Sequence, residues 1–434
     1  AVVFGTTILG SNPSAPAKSM NILQLIKKIF FPFYKSKNIV QIFKILNSGS
    51  KEHQAMFVGG CVRKHLINEK IDDIDIATKL KPEEVIQKFK NSNVTVKKTG
   101  IEHGTLTIIL DNNQFEITTL RKDISTDGRH ASVSFTDNWE EDSRRRDFTI
   151  NAIYLSQKGK IFDPQSGVKD LKSKKIKFIG DPEERIKEDY LRILRFLRFS
   201  IEYSNFEFDK ETLRAIQKNL SGITQLSKER IYNELNKILK LKNFDEVSKN
   251  KDFLEIFNLV FPEFKYLDRI KNFSSLRKFI PEIFNAKNIL VSLLIDGTNN
   301  HEYFSHKYNI ANETRDHLSF CGNNFKEIQS NKNFFKRDIS KNIFKFGKER
   351  VKSLFFLYSL TRKNFKLKEI IQNFSRIDSI IVPRFPITGD YLINRGIKSG
   401  RKIGEAINEI KNKWLENDFN LDSEQITKTI KKFK

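Results

Sequence analysis

Apolar residues follow two different rhythms along this chain. Between about residues 55 and 155 they come in short runs with strand character: AMFVGG (55–60), DIDIAT (73–78), TLTIIL (105–110), QFEITTL (114–120) and TINAIYL (149–155). Helix-compatible stretches lie between some of these runs. From about residue 183 onward the apolar positions recur at three- and four-residue spacing, as in EERIKEDYLRILRFLRF (183–199) and GEAINEIKNKWLENDF (404–419). The pattern predicts an α+β fold class: a head with a small β-sheet, then an all-α neck, body and tail. The expected divisions are residues 20–156, 157–245 and 246–434. Residues 1–19 are small, polar and broken by Pro and Gly, which reads as a tag or disordered tail.

Composition narrows the partners. Formal net charge is +24, with the excess of lysine and arginine spread along the chain. Such a surface suits a polyanion, because phosphate contacts supply most sequence-independent affinity for nucleic acid. Part of the excess follows a general bias toward Lys, Asn, Ile and Phe, so charge carries limited weight alone. No apolar run approaches the ~18 residues needed to span a bilayer. Cys61 and Cys321 are the only cysteines and the histidines are scattered, so neither a disulfide framework nor a zinc site is expected. The basic stretch from Met20 to Lys44 mimics a mitochondrial transit peptide but is poor in arginine, and the expected setting is the bacterial cytoplasm.

Candidate chemistry begins in FVGGCVRKHLINEKIDDIDIAT (57–78). Asp73 and Asp75, two apart on an expected strand, point to one face while Ile74 and Ile76 face the core. Two hard oxygen ligands side by side suit magnesium carrying a nucleoside triphosphate. Gly59 and Gly60 allow backbone to approach phosphate, and Arg63 can meet a phosphate oxygen. In QFEITTLR, Glu116 points away from Phe115 and Ile117 and can join the first two carboxylates from a neighbouring strand. Taken alone, a DxD pair is more often the acidic edge of a half-exposed strand.

The glycine pair, the DxD strand and the later third carboxylate together resemble the DNA polymerase β nucleotidyltransferase superfamily. The flanking residues resemble its class II branch, the CCA-adding enzymes and bacterial poly(A) polymerases. That resemblance implies that Asp73 and Asp75 ligate two Mg2+ ions and that Glu116 is the third catalytic carboxylate. The family usually has an acidic residue directly after the position of Arg63, where this chain has Lys64. RRDFTIN (145–151) resembles the second family motif, implying that Arg146 holds the triphosphate while Asp147 and Asn151 recognise the ribose. An amide and a carboxylate suit the 2′-hydroxyl, which both donates and accepts. In the sequence, EEDSRRRDFTINAIYL packs its arginines beside Asp147, Thr149 and Asn151.

The stretch from Phe162 to Phe199 resembles the family neck. Its EDYLR segment sets Asp189 and Arg192 three apart on an expected helical face, beside Ile186, Tyr190, Ile193 and Leu197. By resemblance this pair reads the incoming base. A carboxylate accepts from the exocyclic amine of cytosine or adenine, and a guanidinium donates to the ring nitrogen; uracil and guanine present the opposite pattern. In the isolated peptide an intrahelical ion pair would explain DxxR equally well. SKERIYNELNKIL (227–239) resembles a further motif in which Glu229 and Arg230 are structural.

TTLRKDISTDGRHASVSFTDNW (118–139) is rich in turn formers and resembles the flexible element of enzymes that complete CCA. VTVKKTGIEHGTLTI (94–108) lacks the Gly-Arg-Arg element usual in bacterial poly(A) polymerases, and no His-Asp dipeptide marks a phosphohydrolase domain. The resemblance therefore implies CTP and ATP as substrates. The implied partner is tRNA, gripped at its acceptor and T arms by the helical half, with neither DNA nor membrane involved. The alternatives are a poly(A) polymerase, a partial enzyme adding only CC or A, and a catalytically silent RNA-binding protein. In the C-terminal PITGDYLINRGIKSGRKIGEAINEIKNKWLENDF (386–419), Ala406, Ile407, Ile410 and Trp414 form one helical stripe, expected to be core.

Overall fold

The computed structural model describes residues 32–50, 53–127, 130–398 and 400–433, the side chains of 123–132 excepted. The expected tail 1–19 and residues 20–31 of the transit-like stretch lie outside these residues. The described chain forms two compact units, residues up to 192 with 203–216, and residues 193–202 with 217 onward.

The first unit is built on a seven-stranded sheet. Its strands are β1 (Ala55–Val58), β2 (Asp75–Thr78), β3 (Thr95–Lys97), β4 (Thr105–Leu110), β5 (Asn113–Thr119), β8 (Tyr154–Leu155) and β9 (Ile161–Phe162), in the order β3-β4-β5-β2-β1-β8-β9. Only β2 and β5 run parallel; every other neighbouring pair is antiparallel. Alternation along β4 and β5 buries Leu106, Ile108, Leu110, Phe115 and Ile117 on one face. On the same side of β1, Phe57 meets Phe43 of helix Lys37–Leu46 at 4.6 Å between ring centroids. The opposite face carries Asp75, and farther along it Met56, Val58, Ala77, Leu120 and Tyr154 make a second apolar cluster covered by Trp139 and Phe162.

The structure differs from the sequence reading in three elements. The segment expected as a strand at 149–155 opens with a 3-10 turn, Thr149–Asn151, before the short β8. The turn-rich stretch after β5 is a β-hairpin, β6 (Arg121–Asp127) and β7 (His130–Phe135), with a register shift between Asp123 and Ser125. Alternating Ser and Thr residues there fit a pleated ribbon as readily as a loop. Third, the helix expected through 183–199 is broken: Pro182–Glu188 ends and Leu191–Tyr203 begins, with Asp189 extended between them at φ −155°, ψ 104°.

The second unit is helical. Phe244, Phe257, Phe261, Phe264 and Phe304 are fully buried and meet ring to ring, so the phenylalanine bias of the sequence is used as core. Helix Lys228–Leu239 is capped by the Ser227 side chain and buries Glu234, which receives Arg198. The stripe on Arg401–Glu416 is core as expected, with Ala406, Ile410 and Trp414 buried and Ile407 packed against that cluster.

Candidate active site

Asp75 opens β2 and Asp73 lies two residues before it, outside any strand, so the expectation that the two acidic residues share a strand is not met. Parallel pairing sets Asp75 in register with Glu116 on β5, and the Glu116 N–H donates to the carbonyl of Ile74 at 3.1 Å. Both carboxylates therefore rise from the same face of adjacent strands, while Phe115, Ile117 and Ile76 are buried below. Asp73 and Glu116 are exposed and Asp75 is partly buried. Burial, then the Glu116 carboxylate, push the Asp75 carboxyl up to about 6; Arg146 opposes this, Asp73 adds to it and Arg63 opposes it.

Gly59 leaves β1 at φ +74°, and a Cβ there would stand 3.3 Å from Asp75 Oδ2. Both the backbone conformation and the close approach call for glycine at this point. Gly60 opens the helix Gly60–Leu66, which aims the buried Arg63 back across the sheet. Lys64, the departure from the family pattern, pairs instead with Asp72 at 3.0 Å.

Arg63, Asn151 and Asp147 form one chain of contacts. The Arg63 Nη1 donates to Asn151 Oδ1, and Asn151 Nδ2 donates to Asp147 Oδ1 at 2.7 Å. Asp147 Oδ1 also accepts the Phe148 N–H at 2.9 Å. Arg63 lies over the Tyr203 ring at 5.2 Å. The 3-10 turn that carries Asn151 is wedged by Gly167, whose missing Cβ would collide with the Thr149 carbonyl oxygen. Thr149 Oγ1 is fixed by Asp170 at 2.8 Å.

Two of the three arginines, Arg145 and Arg146, anchor on Asp142 and not on Asp147 as the sequence suggested, while Arg144 pairs with Glu140. The Asp142 carboxylate, 1% exposed, takes Arg145 Nη2 at 2.6 Å, Arg146 Nη2 at 2.9 Å and the Tyr154 hydroxyl at 2.7 Å. Burial alone would push this carboxyl up, but the Arg146 and Arg145 guanidiniums and the Tyr154 hydroxyl hold it well below the usual carboxylate range. Asp142 stands three and four residues before its partners, the helical pairing distance, a spacing visible in the sequence that does not distinguish a buried anchor from a solvated pair.

Asp189 and Arg192 do not share a helical face. The Asp189 carboxylate accepts the Leu191 N–H at 3.1 Å from the break between helices. Arg192, 9% exposed, donates to Glu188 at 2.6 Å and to the Arg185 carbonyl at 2.7 Å. Arg185 in turn donates to the carbonyls of Arg145 and Arg146 at 2.6 and 2.8 Å. The neck residues are thus tied to the arginine turn through Arg185 and Glu188, neither of which stood out in the sequence.

Among the described residues no three His, Cys, Asp or Glu side chains close into a metal cage by themselves. Magnesium fits such a site, because it is commonly held by one or two carboxylates together with substrate phosphates and water. Asp75 is pushed up by burial first and by its carboxylate neighbours second, and a bound cation would offset both.

Residues 55–177 match the family of poly(A) polymerase head domains, and residues 205–267 match the family "Probable RNA and SrmB- binding site of polymerase A". The human mitochondrial CCA tRNA nucleotidyltransferase 1 is 31% identical over 88% of this chain and 87% of its own length. The CCA-adding enzyme of Lactobacillus delbrueckii is 30% identical over 82% of this chain and 87% of its own. The fold matches that of the Bacillus stearothermophilus CCA-adding enzyme in complex with CTP, with a TM-score of 0.69 at 23% identity over 87% of this chain and 92% of the other. The expected bacterial cytoplasmic setting is overturned, since a mitochondrial enzyme aligns over more of the chain than this bacterial one does. Identity at this level across most of both sequences shows that the chain belongs to the class II CCA-adding branch of the tRNA nucleotidyltransferase and poly(A) polymerase family.

Proposed function

We propose that this chain adds CMP, CMP and AMP to the 3′ end of tRNA from CTP and ATP, without a nucleic-acid template. The observation that carries the reading is the registered pair Asp75 and Glu116 beside Gly59, in a chain that aligns over 88% of its length with a tRNA nucleotidyltransferase. The acceptor 3′-oxygen bonds to the α-phosphorus, the bridging bond to the β-phosphate breaks, and pyrophosphate leaves. Two Mg2+ ions on Asp73 and Asp75, with Glu116 alongside, would acidify the acceptor hydroxyl and neutralise charge on the phosphates. Arg63 and Arg146 bind the triphosphate, Arg146 held in a fixed direction by Asp142. Asp147 and Asn151 read the ribose hydroxyls. Asp189 and Arg192 select amine-bearing bases, and the break at Asp189, which takes it off the helical face of Arg192, supports this role over an ion pair within one helix. In this reading the head performs transfer, the neck selects the base, and the helical body and tail hold the tRNA acceptor and T arms by shape and phosphate contacts.

Metal titration tests the carboxylate assignment. Chelation is expected to abolish CMP incorporation and added Mg2+ to restore it. Asp75→Asn should stay inactive at every Mg2+ concentration, and an active Asp75→Asn enzyme would remove the carboxylates from the mechanism.

A further inference from the structure

The two flanks of the carboxylate pair are built differently. On the β1 and β8 side, Met56, Val58 and Tyr154 are buried, and the Arg63, Asn151 and Asp147 chain occupies the rim. On the other side the same face of β5, β4 and β3 is open. Cross-strand register puts Thr107 opposite Glu116 and Lys97 opposite Thr107, with Thr105 opposite Thr118 beside them. Directly opposed residues share a face, so Glu116, Thr107 and Lys97 form one row about 10 Å long across three strands. Glu116 and Lys97 are exposed and the threonines partly so, while the intervening Leu106 and Ile108 are buried on the reverse side. The hydroxyls stand in pairs, Thr99 with Thr107 at 2.6 Å and Thr105 with Thr118 at 3.1 Å.

We propose that this threonine and lysine ledge is the seat of the acceptor strand, holding the ribose and phosphate of its last nucleotides beside Glu116. The inference rests on the nucleotidyl-transfer reading and adds the site of the second substrate. In phosphoryl transfer the entering and leaving oxygens lie roughly in line across the phosphorus. With the triphosphate drawn toward Arg63 and Arg146 on the β1 and β8 flank, the attacking 3′-oxygen must come from the β5 flank, where the ledge begins. Hydroxyls that both donate and accept suit a 2′-hydroxyl, and an exposed lysine at the far end of the row suits the phosphate. A chain of ribonucleotides is the ligand class, recognised through its backbone and not its bases.

Steady-state CMP incorporation by the full chain tests this, using a tRNA that lacks its CCA end and a matched tRNA with a 2′-deoxy terminal residue. Lys97→Ala is expected to raise KM for tRNA about fivefold to tenfold, the worth of one phosphate contact, and to leave KM for CTP within about twofold. Thr107→Val should lose the preference for the 2′-hydroxyl acceptor, and Thr107→Ser should keep it. Unchanged KM for tRNA in Lys97→Ala, or a Thr107→Val enzyme that discriminates against the deoxy acceptor as wild type does, would overturn the ledge assignment. A parallel rise in KM for CTP would also overturn it. If the wild-type chain incorporates nothing into either tRNA, the transfer reading itself fails and takes the ledge with it.

Discussion

Asp142 anchors the arginine turn, since one buried carboxylate orients Arg145, Arg146 and Tyr154 together. Replacing it with Asn keeps the shape but leaves two guanidiniums short of a counter-charge. Loss of one partner of a buried ion pair costs about 3–5 kcal/mol. Asp142→Asn should therefore lower unfolding free energy by that order in a urea titration and raise KM for CTP through the released Arg146. An unchanged urea midpoint would show that the arginines find other partners. The depressed carboxyl also fixes a sign: the stability its charge contributes is present above the ordinary carboxylate range near pH 4 and is lost as pH falls below it. The part of acid unfolding due to Asp142 should thus disappear in the Asn variant. In the sequence, the registered carboxylates Asp75 and Glu116, the glycine pair, Arg63 and Asn151 were legible because a strand period or a motif points at each, whereas the strand period failed at Asp73. Asp142 and Glu188 were missed because an acidic residue near arginines looks the same whether it is solvated or buried.

Short elements carry the precision of the site. The 3-10 turn Thr149–Asn151 presents Asn151 to Arg63, and the helix Gly167–Lys172 presses on the turn from behind at Gly167. Gly167→Ala puts a methyl where the Thr149 carbonyl stands, an overpacking that costs about 1–3 kcal/mol. Because a displacement near 1 Å can cost up to ~100-fold in rate, kcat/KM for CTP should fall about tenfold or more in Gly167→Ala. Wild-type kcat/KM would mean that the turn does not position Asn151 for substrate. Elements were also where sequence reading went astray. Periodicity runs through the apolar stripe of Ile186, Ile193 and Leu197 without a break, all three being fully buried, yet the backbone opens at Asp189. Hydrophobic spacing reports which side is buried and is blind to a two-residue interruption. The hairpin β6–β7 escaped for a different reason: Ala131, Val133 and Phe135 alternate with Ser132 and Ser134 in β7, but β6 shows no matching apolar alternation and the turn formers around both strands read as a loop.

At the scale of the whole molecule, the change of rhythm near residue 183 separates sheet from helix because the two periods demand different partners. The position of the unit boundary inside helix Leu191–Tyr203 was not legible, since a continuous helix can belong to two cores. The net charge of +24 acts at this scale as well. If the helical half grips tRNA through phosphates, log KM for tRNA should rise with log salt at a slope of about 3 or more, while KM for CTP changes less. A flat tRNA response would mean that the charge is compositional only. The most direct test of the account is the product formed on a tRNA lacking its CCA end when CTP and ATP are supplied separately and together, with Asp73→Ala/Asp75→Ala alongside. The account predicts two C with CTP alone, then a single A when ATP is added, and nothing from the double variant. Long A tails, arrest after two C, or incorporation by the double variant would contradict it.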